Sequence, residues 1–159
     1  MPSHAEKKVL PYTPEELFNL VRDIEKYPEF LPWCKELRIQ KREPKEREEV
    51  LLADMVVGFK IFRERFSSRV IARPCSEGMP YRIDVMYLDG PFKFLKNHWV
   101  FNSIKNGTEI DFFVNFEFRN IIMEKIRIND ICKTQVKKGK AGTRQLLELF
   151  KSGSSIALM

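Results

Sequence analysis

The sequence predicts an α+β domain in which one antiparallel sheet turns a single apolar face toward a helical C-terminal cover. Three observations lead there. From Lys35 to Phe118 apolar and polar residues alternate with a period of two, most clearly where Ile110, Phe112, Val114, Phe116 and Phe118 interleave with Asp111, Phe113, Asn115 and Glu117. Turn signals interrupt this region at Glu43-Pro44-Lys45, Gly58, 73–78, Asp89-Gly90-Pro91 and Lys105-Asn106-Gly107, which leaves about six strands. Beyond residue 119 the alternation stops, and Ile121, Ile122, Met123, Ile126, Ile128 and Ile131 lead into Val136. A sheet with one wet face and one aromatic face needs such a cover.

Taken in order, residues 3–10 read as a strand closed by Pro11. Thr13-Pro14-Glu15-Glu16 then supplies an N-cap, a proline at the first helical position and two acids in the first turn. Leu17, Phe18, Leu20, Val21 and Ile24 give that helix one apolar stripe, and it is expected to end near Lys26. The segment Tyr27-Pro28-Glu29-Phe30-Leu31-Pro32-Trp33-Cys34 is too interrupted for a long helix and too apolar for a free loop, so a single helical turn over a core edge is expected. Within the strands, Phe62, Phe66 and Val70 oppose Arg63, Arg65 and Arg69, with Glu64 and Ser68 as polar insertions on the apolar face. Ile83, Val85 and Tyr87 share a face, as do Leu95, Asn97, Trp99 and Phe101. Part of the C-terminal cover is helical, broken at Lys138-Gly139-Lys140-Ala141-Gly142 before a second short helix over 145–150. The domain is expected to span 1–151, with 152–159 as a frayed tail.

Composition narrows the function. At 159 residues, 43% apolar and 31% charged, the chain fits one globular domain. Thirteen Phe against two Trp and four Tyr require a large dry core or a dry cavity. Cys34, Cys75 and Cys132 are odd in number and widely spaced, which argues against a disulfide framework and a zinc site; no metal is assigned. No apolar run is long enough to span a bilayer. The first residues carry neither the apolar core of a secretory signal nor the Arg/Ser-rich face of a presequence, which points to a cytosolic protein or a trimmed organellar one.

The net charge of +6 is localised: residues 1–118 balance 19 basic against 19 acidic side chains, whereas 119–159 carry nine basic and three acidic. This basic segment suits a negative surface, either anionic lipid headgroups or RNA, or else serves as a solvated helix face. Phosphate-binding glycine motifs are absent, and aromatics do not interleave with Lys and Arg in an RNA-reading pattern, so DNA is not an expected partner.

Nothing in the spacing of His4 and His98 proposes a catalytic site, and no catalytic residue is assigned. Glu64 is either a buried acid with a raised pKa or an ion-pair partner of an arginine on a neighbouring strand. Phe62, Phe66, Tyr87, Leu95, Trp99, Phe101, Phe112 and Phe116 form the aromatic interior, and the residues alone leave open whether it is plain core or the lining of a pocket.

The runs Tyr12-Thr13-Pro14-Glu15-Glu16-Leu17-Phe18, Tyr27 to Cys34, Phe62-Arg63-Glu64-Arg65-Phe66, Asp89-Gly90-Pro91-Phe92 with Asn97-His98-Trp99-Val100-Phe101, and Asp111-Phe112 with Phe116-Glu117-Phe118 resemble the coenzyme Q-binding protein family. That family lies in the polyketide-cyclase-like branch of the START-like superfamily, which includes the bacterial ribosome-association toxin. The resemblance covers residues 3–123. It implies a helix-grip fold, a curved antiparallel sheet around a long C-terminal helix with a hydrophobic tunnel between them. It implies ubiquinone or a similar polyprenyl lipid as bound ligand, no required cofactor and no chemical change to the ligand. The eight interior residues then line the tunnel, and Phe30 and Trp33 sit at its mouth or dip into an anionic membrane to which the protein is peripheral. The expected location is the cytoplasmic side of the inner membrane in a bacterium, or the matrix side of the mitochondrial inner membrane in a eukaryote. Ribosome binding, as the toxin members suggest, is the second reading, and a cyclase- or hydrolase-type enzyme the third. Beyond residue 124 the Ile-rich stretch and two glycines depart from the family's Ala-rich uninterrupted helix.

Overall fold

A computed structural model describes residues 3–30, 34–59 and 62–119. Seven strands form one antiparallel sheet in the order β1-β7-β6-β5-β4-β3-β2. They are β1 (Ser3–Leu10), β2 (Cys34–Pro44), β3 (Glu49–Phe59), β4 (Phe62–Arg73), β5 (Tyr81–Asp89), β6 (Phe92–Ile104) and β7 (Gly107–Phe118). The six strands expected between Lys35 and Phe118 are all present, although Gly58, read as a break, stays within β3 and pairs with Arg63; the other turns hold residues suited to reversing the chain. Asn106, for example, takes the left-handed conformation at φ 64° between β6 and β7. Gly90 holds φ 144° between β5 and β6, and a Cβ there would lie 2.5 Å from Cβ of Phe66.

Helix α1 (Pro14–Arg22) begins as its sequence requires. Thr13 Oγ accepts from the Glu16 N–H at 3.2 Å, and the Glu16 carboxylate accepts from the Thr13 N–H at 3.3 Å, a reciprocal capping box. The helix stops four residues before the expected Lys26. Asp23 leaves the helical region at φ −81°, ψ 66°, and the chain tightens into a 3₁₀ turn, Ile24–Lys26, before the single turn α2 (Tyr27–Phe30). This break lets Ile24 and Tyr27 both point inward, where a continuous helix would have carried its stripe past the sheet.

The core lies on one face of the sheet. Trp99 is fully buried, 4.7 Å centroid to centroid from its cross-strand partner Phe112 and stacked on Phe101 at 6.2 Å. Phe18 of α1 covers this end, edge-on to Phe101 at 6.1 Å and tilted on Tyr81 at 5.0 Å. A second cluster centres on Phe92, whose ring meets Phe66, Tyr87 and Phe116 edge-on at 5.5–5.7 Å. Phe92 breaks the parity of β6. A bulge between Phe92 and Phe94 inserts one residue, so Phe92 faces the same side as Leu95, Asn97, Trp99 and Phe101.

The opposite face carries Arg63, Arg65, Arg69 and Lys96 in solvent, as their parity requires, and Lys93, which the bulge turns outward. Arg73 and Arg82 both converge on the carboxylate of Asp84, at 2.7–2.9 Å. The C-terminal cover, its glycine break and the tail 152–159 lie outside the described residues, as do Leu31, Pro32, Trp33 and the side chains of Phe30, Phe62 and Phe118.

Candidate functional site

A small cavity of about 30 Å³ sits under the middle of the sheet's inner face. Its walls come from Ile24 and Tyr27 on one side and from Leu37, Ala53, Met55, Phe66, Ser68, Val70, Val85, Leu95 and Asn97 of strands β2 to β6. Every strand residue in that set sits on the inward parity, so the alternation of the sequence is what aims them at one space. None of the described lining residues carries a carboxylate, an imidazole or an amine.

Of the eight interior residues named from sequence, Phe66 and Leu95 line this cavity. Tyr87 is half-buried beside it, and its hydroxyl accepts from the Phe92 N–H at 3.1 Å. Trp99, Phe101, Phe112 and Phe116 are buried on the same face. Phe62 belongs to β4 by backbone, with its side chain outside the described residues, as for Phe30; Trp33 lies outside them altogether.

Three polar groups border the cavity. The Tyr27 hydroxyl donates to the Val21 carbonyl at 2.5 Å, and burial holds its pKa well above the usual phenol range, so it stays a neutral donor. Ser68 and Asn97 are buried, at 7% and 6% exposure, among aliphatic and aromatic neighbours. Both were visible in the sequence as polar residues on an apolar parity, which is the signal that distinguishes them from the rest of the interior. Ile24, Tyr27, Leu37, Ala53 and Met55 had no such signal, since their convergence depends on how the α1–α2 turn and strands β2 and β3 curl over the sheet.

The other candidates have ordinary surroundings. His98 lies on the outer face, stacked on Phe113 at 5.3 Å, and the carboxylate of its cross-strand neighbour Asp84 is taken by the two arginines. His4 pairs with Val114 and His98 with Phe113, on strands that flank β7. Glu64 is half-buried on the inward parity, and no ion pair involves it among the described residues. Among the described residues no three His, Cys, Asp or Glu side chains gather as metal ligands. No helix among them is long and apolar enough to cross a membrane.

The outer face has one further feature. Arg69, Met86 and Lys96 are direct cross-strand neighbours in a row across β4, β5 and β6, all exposed, with Leu88 exposed nearby on β5.

Comparison with known proteins agrees with this geometry. The model of the family described as polyketide cyclase / dehydrase and lipid transport matches residues 10–129. The ribosome association toxin RatA of Rickettsia prowazekii is 40% identical over 126 residues, covering 79% of this chain and 83% of that protein. The mitochondrial coenzyme Q-binding protein coq10 of Schizosaccharomyces pombe is 30% identical over 117 residues, covering 70% of this chain and 66% of the relative. Among solved structures, the 18 kDa protein CC1736 of Caulobacter crescentus superposes with a TM-score of 0.69 at 31% identity, over 96% of this chain and 95% of that one. With the seven-stranded antiparallel sheet, this likeness establishes the START-like, helix-grip class of fold.

Proposed function

Given that the chain belongs to the polyketide cyclase / dehydrase and lipid transport family, we propose that it binds a polyprenyl quinone such as ubiquinone on the inner face of its sheet and leaves the ligand chemically unchanged. The observation that carries this reading is the cavity: apolar walls, buried Ser68 and Asn97 to orient a head group, and no acid or base among the described lining residues. A cyclase or hydrolase needs a group that moves protons, and the described lining offers only the Ser68 hydroxyl and the Tyr27 phenol, which burial holds neutral. The name of the S. pombe relative supports the ligand class. At about 30 Å³ the cavity holds a water-sized group, so ring and tail need its wall to move apart. A tail laid along the Phe-rich face gains roughly 25 cal/mol for each Å² removed from water. The proposed setting is the surface of an anionic, quinone-containing membrane, with Phe30 and Trp33 at the contact and the basic residues of 119–159 on the headgroups.

The test is extraction of the purified protein with organic solvent, mass spectrometry of the extract, and titration with added quinone. A copurified or added quinone bound in stoichiometric amount supports the proposal; no quinone in the extract together with no binding of added quinone overturns it.

The row Arg69-Met86-Lys96 and the R. prowazekii relative favour a second reading, association with the ribosome through exposed cations on rRNA phosphates. Sedimentation with ribosomal subunits that disappears as salt is raised would support it, and sedimentation free of subunits at low salt would exclude it.

A further inference from the structure

Asn97 occupies the middle of β6, between Leu95 and Trp99 on the inward parity, and is 6% exposed. Its amide has a determined orientation. Nδ2 donates to the backbone carbonyl of Phe113 at 2.9 Å, and a carbonyl has no hydrogen, so the reversed amide would set two acceptors against each other. Oδ1 is thereby left on the side away from that carbonyl, without a hydrogen-bond partner among the described residues, on a side chain that lines the cavity.

Among the described residues Asn97 has no donor bonded to its Oδ1. Its cross-strand partners are Val85 and Val114. The Tyr27 hydroxyl is committed to the Val21 carbonyl, and Ser68 stands on β4, with β5 between it and β6. A buried amide oxygen without a donor is rare in folded proteins, and one on a side chain that lines a cavity marks a place for a guest's hydrogen.

We infer that the ligand's head group carries a hydroxyl that donates to Asn97 Oδ1, so that a benzoquinone-type ligand is held as its reduced hydroquinone in preference to the oxidised quinone. The second half of this statement rests on the quinone reading above. An oxidised benzoquinone ring presents only carbonyl oxygens, and methoxy oxygens where it is so substituted, all acceptors. The hydroquinone presents two O–H donors. A water in the cavity can satisfy Oδ1; a hydroxyl that displaces it reproduces the bond, whereas a carbonyl that displaces it leaves two lone pairs opposed. Met55 and the half-buried Leu37 and Val85 are the wall side chains that yield room for the ring behind the hydroxyl.

The experiment titrates the full chain anaerobically with a decyl-substituted dimethoxymethylbenzoquinone and, separately, with its hydroquinone, following Trp fluorescence. A parallel pair is nonylphenol and its methyl ether, in which a methyl group takes the place of the donor hydrogen. The expected result is hydroquinone binding about tenfold tighter than quinone, a difference worth about 1.4 kcal/mol. Nonylphenol should likewise exceed its ether, and Asn97→Leu should abolish both preferences. Because the two comparisons are made on the unaltered protein, they decide the matter even if Asn97→Leu does not fold. Equal affinity for the two redox forms, or tighter binding of the quinone, overturns the inference and leaves the quinone reading standing. A preference that survives in folded Asn97→Leu overturns the role of Asn97. Binding of nonylphenol over its ether with neither quinone form bound supports the hydroxyl requirement and overturns the quinone reading. No binding of any probe overturns both.

Discussion

The phenol of Tyr27 donates a 2.5 Å hydrogen bond to the carbonyl of Val21, so the residue that opens α2 closes the end of α1. Val21 lies in the last turn of its helix, where carbonyls have no intrahelical donor, and the 3₁₀ turn between the two helices folds Tyr27 back to reach it. Tyr27→Phe keeps the ring and removes only this donor. It should lower stability by about 1–3 kcal/mol, read as a lower urea midpoint at unchanged slope. An unchanged midpoint would show that the carbonyl finds another partner.

Trp99 and Leu95 share a face of β6 and differ in surroundings. Trp99 is enclosed by aromatic rings, whereas Leu95 has the cavity on one side. Trp99→Ala should cost about 3–5 kcal/mol, and Leu95→Ala only about 2, since part of the Leu95 surface has no partner atoms to lose. Chemical denaturation of both variants measures the order, and a larger loss at Leu95 would contradict it.

The cysteines differ in reactivity. Burial pushes the Cys34 thiol up to about 12, while Cys75 is exposed in the β4–β5 connection. At about pH 8 an alkylating reagent should label Cys75 rapidly and Cys34 only in denaturant, because the thiolate is the nucleophile. Peptide mapping by mass spectrometry gives the result; early labelling of Cys34 would mean that the region around α2 opens readily.

His98 is held below its ordinary pKa of 6.5 by burial and then by the nearby Arg82 cation, against the opposing pull of Asp111 and Asp84. The unfolded chain therefore takes up the proton first as pH falls, so His98 withdraws stability below about pH 6.5 until the folded ring also protonates. His98→Gln should flatten that part of the stability–pH curve, and NMR titration should place the imidazole below 6.5. An imidazole titrating above that value would reverse the sign.

Strand number and the inward parity of the regular parts of β4 to β7 were legible in the sequence, because period-two alternation and turn residues act locally, whereas the break expected at Gly58 falls inside β3. The start of α1 was legible for the same reason, through Thr13, Pro14 and Glu16. Its end was not. Asp23 breaks the helix so that Ile24 and Tyr27 can reach the core, and that requirement comes from packing beyond the segment. Phe92 was misaligned with its own strand until a bulge, a property of the β6–β7 pair, turned it inward. The polar residues Ser68 and Asn97 announced themselves by breaking an apolar pattern, yet their meeting in one cavity depended on strand order. The sequence by itself thus determined which residues of the regular strands face inward, a matter of backbone geometry. Only the tertiary structure decided which of them share a space and which way the Asn97 amide points, because those depend on distances between strands and on a hydrogen bond to a backbone carbonyl sixteen residues away.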